Sequence, residues 1–381
     1  MPTTVPGMAK LSSVPNSKAR LPADAPGRAQ LLGELGAALI LAGEFGEADA
    51  ALTEAIEASA AAQDRRLELH ALLERGFLRA LTDPEEGVAE LRRVTARAIP
   101  ELEELGDDLG LAKAWRRIGD MHWMTNQWNE LERALERARG HAERAGDLRE
   151  AAGALMRVPM ALYYGPTHVP EAIRRAEEIL ARAQQAPGVQ STCLVCLAGL
   201  QAMSGHFEHA RMLLGRGRAI VDELGFRVWQ AGFSLLSSEI AMLADDAAKA
   251  ESELRAGCRA LEGMGERGLL SMVFAEMARA VYAQERYEEA ERLTEESERL
   301  AGTADVRSQI SLRAVRGKTL ARRREFWLAE ACAREAVRLA EQTDDLNSQG
   351  RALMDLAEVL ELAGRTDDAA QILERAFELF E

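Results

Sequence analysis

The sequence predicts an all-α protein, a tetratricopeptide-like α-solenoid that stacks about nine antiparallel helix pairs into a right-handed superhelix. Three observations predict it. The chain is rich in alanine, leucine, glutamate and arginine, which are good helix formers, while aromatic residues make up only 5% of its 381 residues. An alanine recurs at Ala172, Ala210, Ala250, Ala290, Ala329 and Ala369, at intervals of 38, 40, 40, 39 and 40 residues. A small residue stands about twelve positions before that site, at Gly36, Gly119, Ala198, Ala278, Gly317 and Ala357. Equal spacing over most of a chain is the signature of a solenoid. A single core of this size would usually divide into domains, whereas a solenoid repeat packs only on its neighbours.

Each mark has a physical reason. The alanine follows a bulky residue by three positions in Phe45–Ala48, Phe207–Ala210, Tyr287–Ala290 and Phe326–Ala329, near the start of a second helix. The small residue of the first helix lets its partner approach, and a large apolar residue usually precedes it to fill the groove: Leu35, Ile118, Leu197, Met277, Leu356. Arg316 breaks that rule in the eighth unit. Gly43, Gly205 and Gly364 fall between first and second helices, and Gly146, Gly225 and Gly265 after second helices, where a left-handed residue ends a helix. Asp147, Asp344 and Asp345 stand where they can cap the next helix. A four-helix bundle or globular all-α enzyme predicts no equal intervals. HEAT and armadillo repeats have a similar length but need neither mark.

The units span 28–62, 63–106, 107–146, 147–186, 187–225, 226–265, 266–302, 303–343 and 344–381. Two are irregular. In the second, Pro84 suits a helix first turn, and Pro100 points to a kink or break. In the fourth, Pro159 lies inside the first helix, before Tyr163, Tyr164, Gly165, Pro166 and Thr167, which predicts a local departure in superhelix geometry. Residues 1–27, with prolines, serines and small residues, read as an irregular lead-in, and residues 28–381 as the solenoid. Lys10, Lys18 and Arg20 are followed by no apolar core of a signal peptide. No apolar run is long enough to span a membrane. The last helix, Ala370 to Phe380, is still apolar at Ile372, Leu373, Phe377 and Leu379, and no polar capping helix follows. That points to a piece of a longer protein, or to an end covered by a partner or a second copy.

Composition and motifs limit the chemistry. A net charge of -15 argues against nucleic acid as the main partner. Cys193 and Cys196 form a lone C-x-x-C beside Leu194, Val195 and Leu197. They read as buried small side chains rather than a metal or redox pair, which suits a reducing cytoplasm. Histidines number six, none in an H-E-x-x-H motif, and there is no glycine-rich loop ending in Gly-Lys-Ser/Thr. No enzyme activity, metal or cofactor is expected.

The stretches Ala29–Ala48 (AQLLGELGAALILAGEFGEA), Trp115–Trp128, Gly265–Arg299 and Thr343–Ala369 resemble the C-terminal tetratricopeptide region of bacterial signalling proteins. Those carry an adenylate or guanylate cyclase domain and an AAA-type ATPase ahead of the array, and related arrays occur in regulators of the LuxR and MalT type. The resemblance covers about Leu21 to Glu381. It implies a regulatory part that senses or binds something, with the parent cyclase and ATPase modules as possible partners; those modules are absent here.

Candidate contacts follow from the expected concave face, lined mostly by first helices. Arg116, His122 and Trp123 stand on one first helix, and Arg and Trp are common interface anchors. Trp115 and Trp128 instead fill bulky core sites of the repeat. Tyr163, Tyr164 and Arg157 surround the irregular fourth unit. Arg316 and Arg323 belong to a basic patch with Arg313, Lys318, Arg322 and Arg324, suited to an acidic partner. The expected function is a protein- or peptide-binding scaffold. A small-molecule sensor and a self-association module remain open alternatives.

Overall fold

In the computed structural model, which describes residues 27–379, nineteen helices and no strand occur among the described residues. The first three units pair α1 (Arg28–Ala42) with α2 (Phe45–Ala61), α3 (Arg65–Thr82) with α4 (Pro84–Glu104), and α5 (Asp108–Met124) with α6 (Trp128–Ala145). The fourth unit has a divided first helix, α7 (Leu148–Leu155) and α8 (Val158–Tyr164), before α9 (Val169–Arg182). Then come α10 (Pro187–Met203) with α11 (Phe207–Leu224), α12 (Arg227–Leu243) with α13 (Ala247–Met264), and α14 (Gly268–Tyr282) with α15 (Tyr287–Leu300). The last two units pair α16 (Val306–Arg322) with α17 (Phe326–Ala340) and α18 (Leu346–Leu362) with α19 (Thr366–Glu378). The fold is the right-handed solenoid of about nine helix pairs that the spacing predicts. The expected lead-in and Phe380 lie outside the described residues. No described helix is long and apolar enough to cross a membrane.

The repeat marks do what close packing requires. All six spaced alanines, Ala172 to Ala369, are 0% exposed, so no larger side chain fits there. A Cβ added at Gly36 would lie 2.5 Å from Leu52 Cγ, and one at Gly317 would lie 2.9 Å from the Ala329 carbonyl oxygen. Asp147 and Asp345 accept hydrogen bonds from the amides of Glu150 (2.8 Å) and Ser348 (2.9 Å), which closes the first turns of α7 and α18. Where a turn lacks glycine, Asn126, Asp245, Glu285 and Arg324 take the left-handed conformation instead.

The two prolines behave differently. Pro159 has no amide hydrogen to offer the preceding turn, and the first helix of unit four breaks at Met156–Arg157, two residues before it. Pro100 was the expected break in α4, yet α4 runs through it to Glu104. Leu91, Thr95, Ala98 and Leu102 are buried on both sides of that point. Their packing holds the helix across one missing hydrogen bond.

The superhelix curls tightly enough for its second turn to touch its first. Arg227 of α12 pairs with Glu44 after α1 at 2.8 Å. The Arg267 amide donates to the Leu81 carbonyl at the end of α3 (3.0 Å). Glu85 of α4 accepts from the Thr303 amide (2.7 Å). Asp344, expected to cap its own helix, instead accepts from the Trp128 and Asn129 amides (2.6 and 2.7 Å), and so caps α6 from the far end of the chain. An apolar cluster runs through the same seam, joining Ile40, Phe77 and Leu81 to Met264, Leu269 and Met272.

One carboxyl at this seam titrates in an unusual range. Glu266 is 0% exposed, and its Oε2 accepts from the Leu269 (2.7 Å) and Leu270 (3.2 Å) amides, while Oε1 has no partner among the described residues. Burial pushes its pKa up to about 8, against the pull of those amides and with Asp305 adding to the rise. The folded state therefore holds the proton more tightly than the unfolded chain. This group's stabilisation is complete below the ordinary glutamate pKa of about 4.3 and is lost as pH rises through about 8.

Two outcomes test this account. Gly317→Val should lower stability by roughly 1–3 kcal/mol in urea unfolding, because α17 cannot move away without opening its neighbours. Between pH 5 and 8 the melting temperature of Glu266→Gln should fall less than that of the native chain, since the neutral amide does not titrate.

Candidate functional site

The first helices turn inward and enclose a cavity of about 320 Å³. Its wall takes residues from α1, α3, α5, α7, α8, α10, α12, α14 and α16, so units from both turns build it. Much of the wall is apolar: Phe77, Trp123, Met156, Met160, Val195, Trp229, Phe233, Leu236, Leu269 and Met272. Charged side chains stand among these. Lys113, Arg116, Arg117, Arg149, Arg157 and Arg307 face only Glu34, Glu74 and Glu150 on the wall itself. A second chamber of about 270 Å³ adjoins it, sharing Glu34, Glu74, Lys113, Arg149 and Glu150 and continuing past Arg66, His70 and Asp107. Carboxylates behind the wall match most of these cations: Asp120 lies against Arg117 and Arg157, and Glu239 against Arg307.

The charged side chains form a network of buried pairs. Arg117 donates to Glu74 (2.7 Å) and Asp120 (2.5 Å) while its guanidinium lies over the Phe77 ring at 4.0 Å. Arg116 joins Glu74 (3.2 Å) to Glu150 (2.5 Å). Burial alone would raise the Glu74 carboxyl; the guanidiniums of Arg117 and Arg116 overcome that and hold it at about 2. Further along the inner face, Glu239 of α12 pairs with Arg307, accepts from the Tyr163 hydroxyl (2.8 Å) and lies 3.9 Å from Arg351. Four units of the array thus meet on one carboxylate.

Arg157 sits at the break that Pro159 makes, as the residue before α8. Its Nε lies 3.0 Å from Asp120 Oδ1, but it donates no hydrogen bond to any described residue, and Asp120 Oδ1 accepts none. The guanidinium is ringed by Trp229 (5.3 Å), Trp123 (5.7 Å) and Phe77 (5.7 Å). Burial lowers its pKa from the ordinary value, opposed by Asp120.

The residues singled out from the sequence divide between this cavity and other places. Arg116, Trp123 and Tyr164 line it. Tyr163 is buried behind it on Glu239, and Tyr164 stacks on Trp128 at 5.0 Å with Arg307 over its ring at 4.3 Å. His122 is half-buried beside the seam, where burial lowers its pKa and Glu130 opposes. Arg316 and Arg323 lie away from the cavity, paired with Glu298 (2.9 Å) and Glu291. Most of the basic patch is likewise matched: Lys318 reaches Asp355 (2.6 Å), Arg322 reaches Glu358 (2.8 Å), and Arg313 bonds Gln309. Cys193, Cys196 and Cys258 are buried, and burial raises the Cys193 thiol to about 12. Among the described residues no group of three or more His, Cys, Asp or Glu could hold a metal ion. Sequence reasoning missed Glu74, Asp120, Trp229 and Arg307. A signal existed, in charged residues set on otherwise apolar first helices, but which of them meet depends on the superhelix closing.

No family model matches the chain, and no curated protein matches it. Solved structures do share the fold. A Rap protein complexed with Competence and Sporulation Factor is 16% identical over 94% of this chain and 98% of its own, with a TM-score of 0.65. The apo form of the quorum sensor NprR from B. thuringiensis is 13% identical over 93% and 98%, with a TM-score of 0.51. These matches overturn the resemblance to the cyclase and ATPase-associated array: the end-to-end likeness is to Rap and NprR. The stretches that carried it consist mainly of small residues, bulky-x-x-alanine pairs and turn glycines. Any stack of such helix pairs needs those, so they report the fold and not a set of neighbouring domains.

Glu74→Gln should cost roughly 3–5 kcal/mol, because it takes a buried carboxylate from both Arg116 and Arg117. The native chain should lose the same contribution in acid, as pH falls from the ordinary glutamate range toward about 2. Urea unfolding at pH 7 and pH 3 reads both: the gap between native and variant should be wide at pH 7 and narrower at pH 3.

Proposed function

We propose that this chain is a non-catalytic regulatory solenoid that takes a short peptide into its inner cavity. The observation that carries the reading is the largely apolar chamber, with charged pairs on its wall, that first helices of both superhelical turns build and that a second, more polar chamber continues. Together the two have the size of a ligand site and the elongated course that a few residues of extended chain would follow. The apolar wall supplies affinity by excluding water from ligand side chains, and the charged side chains supply orientation. The fold shared with a Rap protein complexed with Competence and Sporulation Factor, and with a quorum sensor, supports a binding and regulatory role.

The same geometry offers a route to a response. Leu81, Trp123, Leu269 and Met272 line both the cavity and the narrow gap at the seam. A ligand touching them contacts both turns at once, so it binds the closed superhelix better than an opened one. That difference in affinity is what shifts a population. The partner that reads the change would be a protein docking on the outer surface.

Binding can be tested without knowing the natural ligand. A set of capped apolar di- to tetrapeptides should contain members that raise the melting temperature; at a hundredfold excess over Kd the stabilisation is about 2.7 kcal/mol. Gly232→Phe fills the chamber with little disturbance, because a Cβ there meets only Leu269, at 3.7 Å. That variant should fold and lose the response. An unchanged response in Gly232→Phe would place binding outside the cavity and end this reading.

A further inference from the structure

Arg157 is matched only at one end of its guanidinium, by Asp120 Oδ1 3.0 Å from Nε. Its side chain is only 13% exposed, whereas Arg149 on the same wall is 75% exposed and has water at hand. Burying a guanidinium is costly unless its donors are used. Asp120 meets that need in part: one of its oxygens is taken by Arg117 at 2.5 Å, and the other lies 3.0 Å from Arg157 Nε. The terminal N–H groups of Arg157 have no partner among the described residues and remain to be used by something that enters the cavity.

The surroundings define what that is. Trp229, Trp123 and Phe77 attract the cation through their rings, at 5.3, 5.7 and 5.7 Å. A partly buried setting strengthens a charge pair. A planar fork of N–H groups matches a carboxylate in the bidentate manner and is less suited to a single carbonyl. Phe233 and Leu236 of the same wall lie ready for an apolar side chain. Away from Arg157, the outer chamber carries five carboxylates, Glu34, Glu74, Asp107, Asp147 and Glu150, against the cations Arg66, Lys113 and Arg149. An extended peptide has that polarity, an anion at one end and a cation at the other.

We propose that Arg157 receives the C-terminal carboxylate of a short peptide whose last side chain is apolar, with the chain leaving through the outer chamber. This deepens the peptide-binding reading and rests on it. Pro159 then has a functional consequence: by breaking the first helix of unit four, it sets Arg157 at a helix junction on the cavity wall instead of within a continuous helix.

The test titrates the full chain with apolar di- to tetrapeptides that keep a free N-terminal amine, each made as the free acid and as the C-terminal amide. Tryptophan fluorescence is the readout, because Trp123 and Trp229 flank Arg157. Free acids should bind on the order of 10-fold tighter than their amides, the worth of a charge-assisted pair. In Arg157→Gln the acid and amide should bind alike, and in Arg157→Lys part of the preference should return; thermal melting confirms that both variants fold. Equal binding of acid and amide to the native chain would overturn the anchor and leave the cavity reading standing. So would an acid preference that survives in Arg157→Gln. Indole-3-acetate serves as a carboxylate without a peptide chain, and affinity matching the best peptide would overturn the peptide assignment while keeping the anchor. If no peptide in either form binds, both readings fail together.

Discussion

Contact between successive turns of the superhelix is the constraint on which the rest of this structure depends. In a simple solenoid each repeat touches only its neighbours, and stability is a sum of local terms. Here the first three units are tied to the last four by Glu44 with Arg227, Leu81 with Arg267, Glu85 with Thr303, and Asp344 with the start of α6. These bonds span roughly half the chain or more in sequence. They turn an open spiral into a closed body, and the inner face of the spiral into a chamber. The Met264 side chain fills the space beside Gly43, where a Cβ would meet its sulfur at 2.1 Å, so the seam is packed as tightly as the contacts between adjacent repeats.

Closure also explains why so many charges can stand on the inner face. Glu74, Asp120, Glu239 and Arg117 are at most 5% exposed, and each would be costly alone. They are tolerated because partners arrive from other units: Glu74 of unit two from Arg116 and Arg117 of unit three, Glu239 of unit six from Arg307 of unit eight. Such pairs add little net stability compared with apolar packing, but a slipped arrangement would strand several charges at once. They therefore favour one register of the superhelix over its alternatives. Arg157 is the least matched of these charges, with only Asp120 beside it.

The seam and the cavity are not independent. Leu81, Trp123, Leu269 and Met272 belong to both, and Glu266 and Asp305 stand at the seam with carboxyl groups whose pKa values burial has raised. Occupation of the chamber and the protonation of Glu266 act on the same interface between turns. A body built of repeats that closes on itself in this way can relay events on its inner face to its outer surface without a hinge or a lid.

Local packing was legible in the sequence because it repeats. The small residue near Gly36 and Gly317, the buried alanine at Ala290 or Ala369, and the glycines at helix ends answer demands that recur every forty residues, so one chain displays them many times. That unit four is irregular around Pro159 was legible too, since a missing amide hydrogen is a local fact, but the division of its first helix was not foreseen. No break occurs at Pro100, because burial of Leu91, Ala98 and Leu102 outweighs the same local defect. The functional side chains were only half visible: Arg116, Trp123 and Tyr164 stood out by type, whereas Glu74, Asp120 and Trp229 did not. By itself, then, the sequence determined that the chain forms paired helices, where each begins and ends, and which residues lie between adjacent helices, since those follow from contacts only tens of residues apart. The tertiary structure alone decided the pitch of the superhelix, the meeting of its turns, and hence which side chains share a cavity. Pitch is the sum of many small rotations between repeats, and no single residue records it.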